Sequence, residues 1–205
     1  MTTRPRIEAC VIGASAGGVG ALLKLLPGLP ARFHPAILVV LHLPPQHESR
    51  LGTLLQPRVQ LRVREARDKE PIEASTIYVA VPDLHLSVES DRSLSFSGEE
   101  LVSFARPSID VLMVSAAHAY GPALAGVLLT GANMDGAQGM AIIKALGGVT
   151  IVQDPAEAEV AAMPLAAIDM MTPDFVLPLA GIHDLLLTLG KEDGQEPGEE
   201  HRGMP

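Results

Sequence analysis

The chain has 205 residues and a formal net charge of −9, and this length suits one domain with a sizeable core. Aromatic residues make up 3% of the chain and tryptophan is absent, so the stacking platforms that bind single-stranded nucleic acid are largely missing. The negative charge also argues against a partner with a phosphate backbone, and we therefore expect no nucleic-acid ligand.

The N-terminal part of the chain predicts a short buried strand that runs into a glycine-rich turn. Residues 8–18 read EACVIGASAGG, and a helical pattern follows from Val19 to Leu26. Cys10 lies in the apolar run and is the only cysteine, which excludes an internal disulfide bond. A glycine and a serine interrupt the run, which is too short for a signal peptide or a membrane span. We therefore expect a cytoplasmic protein that does not insert into a membrane.

The turn at residues 13–17 reads Gly-Ala-Ser-Ala-Gly and fits the Gly-x-Ser-x-Gly nucleophile elbow. In such an elbow the serine stands on a sharp, strained turn between a strand and a helix, and the flanking glycines give the turn room to close. The free N–H groups at the start of the next helix point toward the group that the serine attacks. The motif therefore predicts Ser15 as a nucleophile.

The rest of the chain alternates predicted strands and helices. A continuous apolar run over Ala36–Leu41 is typical of a strand buried in a parallel sheet. Further strands are predicted near residues 59–64, 76–81, 124–129, 149–152 and 175–177. Helices are predicted near residues 50–55, 106–120, 136–146, 157–170 (interrupted at 163–164) and 182–189. Short strands at 85–88 and 94–96 predict a β-hairpin beside the sheet.

This alternation predicts the fold class and the domain organisation. We expect a doubly wound α/β fold with a mostly parallel sheet, helices on both faces and a small β-hairpin. We expect a single folded domain over residues 1–189. The charged, glycine-bearing composition of residues 190–205 predicts a disordered acidic tail.

Three polar residues follow the ends of predicted strands, namely Ser15, His42 and Asp135. In open α/β sheets, ligands bind beyond the carboxyl ends of the strands. A serine nucleophile needs a base, and a histidine base needs a carboxylate that orients it. The chain order Ser, His, Asp differs from the order in α/β-hydrolases, which indicates a separate fold. His42 also suits a loop cap and Asp135 an ordinary helix N-cap, so both roles stay open at this point.

The sequence offers weak support for two other kinds of site, a dinucleotide site and a metal site. The pattern Gly13-x-Ser15-x-x-Gly18 resembles a dinucleotide fingerprint, but a serine replaces the second glycine, and His42 stands where an acidic residue is needed. No group of His, Cys, Asp or Glu has convincing metal-ligand spacing, so we predict neither a cofactor nor a metal. His85 suits either the cleft or the start of the hairpin.

Five separated motifs stand in one order along the chain: IGASAGG at 12–18, HLP at 42–44, RPSID at 106–110, LTG at 129–131 with DGA at 135–137, and MP at 163–164. Together, over about residues 6–189, they resemble the catalytic domain of CheB, the chemotaxis protein-glutamate methylesterase. The resemblance implies a doubly wound fold with a catalytic triad of Ser15, His42 and Asp135. It also implies an oxyanion site formed by the backbone N–H groups of Ala16 and Ala132.

The activity implied by this resemblance is hydrolysis of glutamate γ-methyl esters on the cytoplasmic helices of methylated chemoreceptors, or on a related protein ester, with glutamine deamidation in some members. Family members usually carry a receiver domain before the esterase, and that control is expected to be absent here. The chain departs from the family pattern at Ala16, at residues 132–134 and at Leu165. The alternative to an enzyme is a non-catalytic CheB-like module that binds a receptor or signalling partner.

Overall fold

The computed structural model describes residues 5–42 and 50–190, and these residues alternate between strands and helices. The strands are β1 (Ala9–Ala14), β2 (Ala36–Leu41), β3 (Arg62–Glu65), β4 (Thr76–Val79), β5 (His85–Val88), β6 (Leu94–Ser97), β7 (Leu124–Leu128), β8 (Val149–Gln153) and β9 (Phe175–Leu177). The helices are α1 (Gly18–Leu25), α2 (Leu51–Leu55), α3 (Ile109–Tyr120), α4 (Ala137–Ala145), α5 (Ala162–Met170) and α6 (Leu179–Leu189). Leu43 and Pro44 of the HLP motif and residues 191–205 of the predicted tail lie outside the described residues.

Seven of these strands form one parallel sheet in the order β3-β4-β2-β1-β7-β8-β9. On one side of β1 the chain places β2 next to it, then β3 at the edge of the sheet and β4 between β2 and β3; it then returns to add β7, β8 and β9 outward on the other side. Strands β5 and β6 pair antiparallel in a separate hairpin. The predicted doubly wound fold with a small β-hairpin is therefore confirmed.

The central strands are buried on both faces, which explains their continuous apolar sequences. Every residue of β1, β2, β7 and β8 is buried. Alternate side chains of β1 enter two different cores, with Cys10 and Ile12 in one and Ala9 and Val11 in the other. Helices α1, α2 and α6 cover the first core, and α3, α4 and α5 cover the second. Helices therefore lie on both faces, as predicted.

Three predicted helix starts differ from the structure by three residues or more. The last helix begins at Leu179 and not at residue 182, and the other two differ for identifiable reasons. Helix α3 begins at Ile109 and not at residue 106, because Ser108 is extended and its Oγ accepts a hydrogen bond from the N–H of Val111 as an N-cap. The helix predicted over 157–170 begins only at Ala162 and is not interrupted at Pro164. Pro164 stands in the first turn, where its missing N–H would have no helical partner.

The carboxyl edge of the sheet brings three loops together. Ser15 follows β1 directly, His42 follows β2, and Asp135 lies in the loop between β7 and α4. Strand β1 pairs with β2 on one side and with β7 on the other, so the three loops are neighbours at the point where the strand order reverses. Among the helices of the described ranges, none has the length and apolar character needed to cross a bilayer.

Candidate active site

His42 and Asp135 form a direct pair at the carboxyl edge of the sheet. The His42 Nε2 atom lies 2.8 Å from Asp135 Oδ2, although 93 positions separate the two residues in the chain. The Asp135 side chain is fully buried, whereas 12% of the His42 side chain is exposed. The pair therefore joins a carboxylate sealed inside the protein to a ring that reaches the surface. This geometry leaves Nδ1 as the ring nitrogen that does not face Asp135.

The Asp135 carboxylate is surrounded by hydrogen-bond donors. Oδ2 accepts a hydrogen bond from the backbone N–H of Ile109 at 2.7 Å, besides its contact with His42. Oδ1 accepts from Ser108 Oγ at 2.8 Å and from the N–H of Asp110 at 3.0 Å. Burial acts to raise the pKa of Asp135, but these hydrogen bonds outweigh it and lower the pKa below its ordinary value. Asp135 is therefore held as an anion at the N-terminus of α3, where the helix dipole also favours negative charge.

Ser15 and His42 line the same open cleft. The cleft has a volume of about 520 Å³, and its lining residues are Ser15, Ala16, Gly17, Gly18, Val19, Gly20, Leu41, His42 and Glu159. Within residues 5–42 and 50–190, no hydrogen bond joins the Ser15 hydroxyl to His42. Contacts between a nucleophile and its base are often long until substrate is bound, so this arrangement is compatible with a serine and its base.

The turn after β1 has its left-handed backbone at Gly17 and not at Ser15. Gly17 has φ of 78°, whereas Ser15 is not among the residues with positive φ, so the expected backbone strain at the serine is not found. A Cβ atom at Gly17 would also lie 2.8 Å from the Oε2 atom of Glu159. Glycine is therefore required at position 17 both for the turn and for the close approach of Glu159.

Thr130 ties the serine turn to the loop before α5. Its backbone carbonyl accepts a hydrogen bond from the N–H of Ser15 at 3.0 Å, and its Oγ1 donates to the carbonyl of Ala16 at 2.8 Å. The same Oγ1 accepts from the N–H of Val160 at 2.9 Å. Because Thr130 is buried, these bonds fix the peptide groups on both sides of Ser15 from below the cleft.

The backbone N–H groups predicted to bind an oxyanion belong to exposed residues. Ala16 and Ala132 are both exposed. In the described part of the chain, neither N–H donates a hydrogen bond to another protein group. Gly131, which precedes Ala132, passes so close to Ser15 that a Cβ atom at position 131 would lie 3.0 Å from Ser15 Cβ. Both N–H groups therefore stand in loops next to Ser15.

Three residues of this site are not predicted by the sequence patterns, namely Ser108, Asp110 and Glu159. Ser108 and Asp110 belong to the RPSID motif, and both donate to Asp135 Oδ1, Ser108 through its hydroxyl and Asp110 through its backbone N–H. A serine followed two positions later by an aspartate is a typical start of a helix. This pattern could have indicated the helix N-terminus that binds Asp135. Glu159 gave no signal in the sequence, because its place over Gly17 depends on how the loop before α5 packs.

His85 does not line the cleft but supports the start of α3. The residue is buried at the beginning of β5, and its Nδ1 accepts a hydrogen bond from the N–H of Ser108 at 3.2 Å. Its Nε2 therefore carries the proton and donates to the carbonyl of Glu100 at 3.0 Å. Of the two roles open to His85 in the sequence, the structure favours the hairpin. Across the described residues, no cluster of three His, Cys, Asp or Glu side chains could hold a metal ion.

Comparison with known proteins gives matches over almost the whole chain. The family model described as CheB methylesterase matches residues 10–186. A protein of Leptospira interrogans, named provisionally as a protein-glutamate methylesterase/protein-glutamine glutaminase, is 44% identical over 186 residues, which cover 91% of this chain and 96% of the relative. A protein of the same name, numbered 2, from Methanosarcina mazei is 36% identical over 186 residues, and there the match covers 87% of this chain but 50% of the relative.

A solved structure agrees with these sequence matches. The crystal structure of the Thermotoga maritima CheB methylesterase catalytic domain superposes with a TM-score of 0.85 at 31% sequence identity. The superposition covers 90% of this chain and 100% of the Thermotoga chain. With the parallel sheet, the cleft at its carboxyl edge and the family match taken together, this chain belongs to the CheB methylesterase family.

Proposed function

We propose that this protein is a serine hydrolase that removes methyl groups from glutamate γ-methyl esters of proteins. The observation that carries the proposal is the His42–Asp135 pair, at 2.8 Å, in a cleft that Ser15 also lines. A serine hydroxyl, an imidazole and a buried carboxylate are the groups that acyl transfer through a covalent intermediate requires. The names of the Leptospira and Methanosarcina relatives support the same reaction and add glutamine deamidation as a second activity.

In this mechanism the Nδ1 atom of His42 takes the proton from the Ser15 hydroxyl. The Nε2–H group is occupied by Asp135, so Nδ1 is the nitrogen with a free lone pair. The Ser15 oxygen then attacks the ester carbonyl. Asp135 stays ionised, keeps the ring in the correct tautomer and stabilises the imidazolium that forms. The lowered pKa of Asp135 supports this role at neutral pH.

The negative charge of the tetrahedral intermediate falls on the former carbonyl oxygen. We assign the N–H groups of Ala16 and Ala132 to this oxygen, since both stand beside Ser15 without a protein acceptor among the described residues. When the intermediate collapses, methanol leaves with the proton from His42. Water then attacks the acyl-enzyme, with His42 again as the base, and releases the glutamate carboxylate and Ser15.

The proposed substrates are methylated glutamates on the helical cytoplasmic part of chemoreceptors, or a related protein ester. A cleft that is open to solvent suits an ester on the surface of a large partner better than a small enclosed ligand. Because these receptor segments are cytoplasmic, we propose the same location for this protein. Ala16, Met134 and Leu165 are exposed and stand at positions where this chain departs from the family pattern, so we propose them as the residues at which specificity differs from other members.

Methanol release from receptor membranes that carry radiolabelled methyl groups tests this function. The wild-type protein should release methanol, and Ser15→Ala should release none above the uncatalysed rate while it keeps the melting temperature of the wild type. Folded wild-type protein that releases no methanol from any methylated receptor preparation would refute the methylesterase assignment. In that case the chain would be a CheB-like binding module.

A further inference from the structure

Two buried carboxylates link the N-termini of helices α3 and α4. Asp135 lies just before α4, yet its oxygens accept hydrogen bonds from the N–H groups of Ile109 and Asp110 at the start of α3. Asp110 lies in the first turn of α3, and its Oδ1 accepts from the N–H of Gly139 in the first turn of α4 at 2.7 Å. Each carboxylate therefore binds the N-terminus of the other helix. This exchange locks the loop that carries Asp135 onto α3.

The two carboxylates feel each other's charge. Burial, together with the negative charge of Asp135, raises the pKa of Asp110 to about 6, although the N–H of Gly139 opposes this effect. In contrast, hydrogen bonds lower the pKa of Asp135 below its ordinary value. Near neutral pH the protein thus keeps two anions together at the back of His42, although a buried like-charge pair is costly.

Few other titratable groups face this pair. His85 on β5 reaches the cluster through the N–H of Ser108 and is neutral, since its Nδ1 accepts that hydrogen bond. Strand β7 contains no titratable residue, and Cys10 of β1 belongs to the core on the opposite face of the sheet. On α4 the charged side chain is Lys144, which stands in the last turn and pairs with Asp174. Of the two carboxylates, Asp135 contacts His42 directly at 2.8 Å, and Asp110 lies behind Asp135, whose Oδ1 accepts a hydrogen bond from the Asp110 N–H.

We propose that Asp110 is a positioning residue for the reaction, whose carboxylate fixes the Asp135 loop and adds a second negative charge that makes His42 a stronger base. The inference rests on the proposed role of His42 as the base that activates Ser15. A retained anion that costs stability but strengthens the base explains why a charged residue stands at a buried position that a neutral acceptor would also fill.

The variant Asp110→Asn tests the effect of the Asp110 charge separately from its hydrogen bond to α4. The asparagine Oδ1 can still accept the hydrogen bond from the N–H of Gly139, so the lock between the helices is kept while the charge is removed. With one anion fewer, the acid limb of the kcat/KM profile for an uncharged ester should move to lower pH by about half a unit. The plateau rate should fall about 2- to 3-fold, because a base that is weaker by about half a pKa unit removes the Ser15 proton less well.

A measurement on the ring itself does not depend on hydrolysis. The NMR titration of ring-labelled histidine, with the His42 signal assigned by its loss in His42→Ala, should show a lower midpoint for this ring in Asp110→Asn than in the wild type. If wild-type protein hydrolyses no ester, the proposed function fails, yet this titration still tests the coupling. An unchanged His42 midpoint together with a superimposable pH profile would overturn the inference.

The thermal stability of the same variant serves as its folding control. Because the pKa of Asp110 is raised, this residue contributes stability below about pH 4 that the wild type loses as the pH rises through about 6. Asp110→Asn lacks this loss and should melt at or above the wild-type temperature at about pH 8. A variant that is slower but not less stable fits a charge that serves the reaction. A variant that melts well below the wild type and keeps full activity would mean that Asp110 is only a helix cap.

Discussion

Helices α1 and α3 both begin at the carboxyl edge of the sheet, but their N-terminal N–H groups have different partners. The start of α3 is filled by protein groups, with the Ser108 side chain as N-cap and the Asp135 carboxylate on the N–H groups of Ile109 and Asp110. The start of α1 has no side-chain cap and no acidic residue in its first turn, and it lines the open cleft beside Ser15. Side chains thus occupy the N-terminus of α3. At α1 the N–H of Gly18 donates to the carbonyl of Ser15, but no side chain fills the terminus, which we call open.

This difference matches the charges that the proposed reaction needs. A helix N-terminus carries a partial positive charge of about half an elementary unit and stabilises anions. At α3 the anion is permanent, because Asp135 must stay ionised to orient His42. At α1 and in the neighbouring loops the anion is transient, because the oxyanion exists only during the reaction and the product carboxylate must leave. The N-terminus of α3 is therefore filled by a permanent anion, and that of α1 is left open for the anion that forms during the reaction.

The largest effect is expected when the fixed anion at α3 is neutralised. Asp135→Asn should lower kcat about 10⁴-fold, since an amide cannot keep His42 in the tautomer that accepts the Ser15 proton. The asparagine NH₂ must also face one pair of the donors that now bind the carboxylate, so the free energy of unfolding should fall by about 1–3 kcal/mol. Single-turnover ester hydrolysis and urea unfolding measure the two effects. A near-normal rate would mean that Asp135 serves only as a helix cap.

The same substitution should change how stability depends on pH. The pKa of Asp135 is lowered in the folded protein, so this group contributes stability above about pH 4 that is lost as the pH falls through its folded pKa. Asp135→Asn lacks this contribution, and its unfolding free energy should fall less steeply with acid than that of the wild type. Parallel curves for the two proteins in acid would contradict the assignment of a buried anion.

An intermediate effect is expected when a side chain is added at Gly131, which packs against Ser15 beside the open N-terminus of α1. In Gly131→Ala the new Cβ atom would meet Met163 Cε at 2.5 Å, so the Met163 side chain must move. It would also lie 3.0 Å from Ser15 Cβ, which must give way by a few tenths of an ångström. A displacement of this kind should lower kcat about 10- to 100-fold, because the reacting groups lose their alignment. Gly52→Ala is the matched control, since its new Cβ atom would meet only Val63 at an ordinary 3.9 Å. Equal rates for the two variants would show that Ser15 tolerates the shift.

The smallest effect is expected at the rim of the open terminus. Glu159 is exposed, lies against Gly17 and places a negative charge beside the N–H groups of α1. Glu159→Gln should strengthen inhibition by a carboxylate such as acetate about 2- to 5-fold at low ionic strength, and less at high salt. Glu99→Gln removes an equal charge outside the cleft and should leave inhibition unchanged. If both variants respond alike, the effect reflects net charge and not the position of Glu159.

Much of this site could be predicted from the sequence because parallel strands end at one edge. Ser15, His42 and Asp135 each follow an apolar run, and the doubly wound order places the three runs side by side. Their local sequence context was therefore enough to predict their proximity. The apolar patterns of β1, β2 and β7 also gave the fold class, since each strand is buried on both faces.

Other features could not be predicted because they depend on packing between distant segments. The hydrogen bond that the N–H of Gly139 donates to Asp110 Oδ1 depends on the angle at which α3 meets α4, and no local sequence pattern encodes this angle. The sequence also suggested strain at Ser15, whereas the left-handed residue is Gly17, where Glu159 packs from a loop far along the chain. The helix predicted from residue 157 failed for a related reason. Thr130 holds that loop in turns through the N–H of Val160.

The central claim is that Ser15 is the nucleophile and that the His42–Asp135 pair activates it. Intact-mass spectrometry and peptide mapping after treatment with a fluorophosphonate test this claim most directly. We predict one adduct on Ser15 in the wild type, none in Ser15→Ala and much slower labelling in His42→Ala. A Ser15→Ala variant that still hydrolyses the ester, or an adduct on another residue with Ser15 unmodified, would contradict the claim.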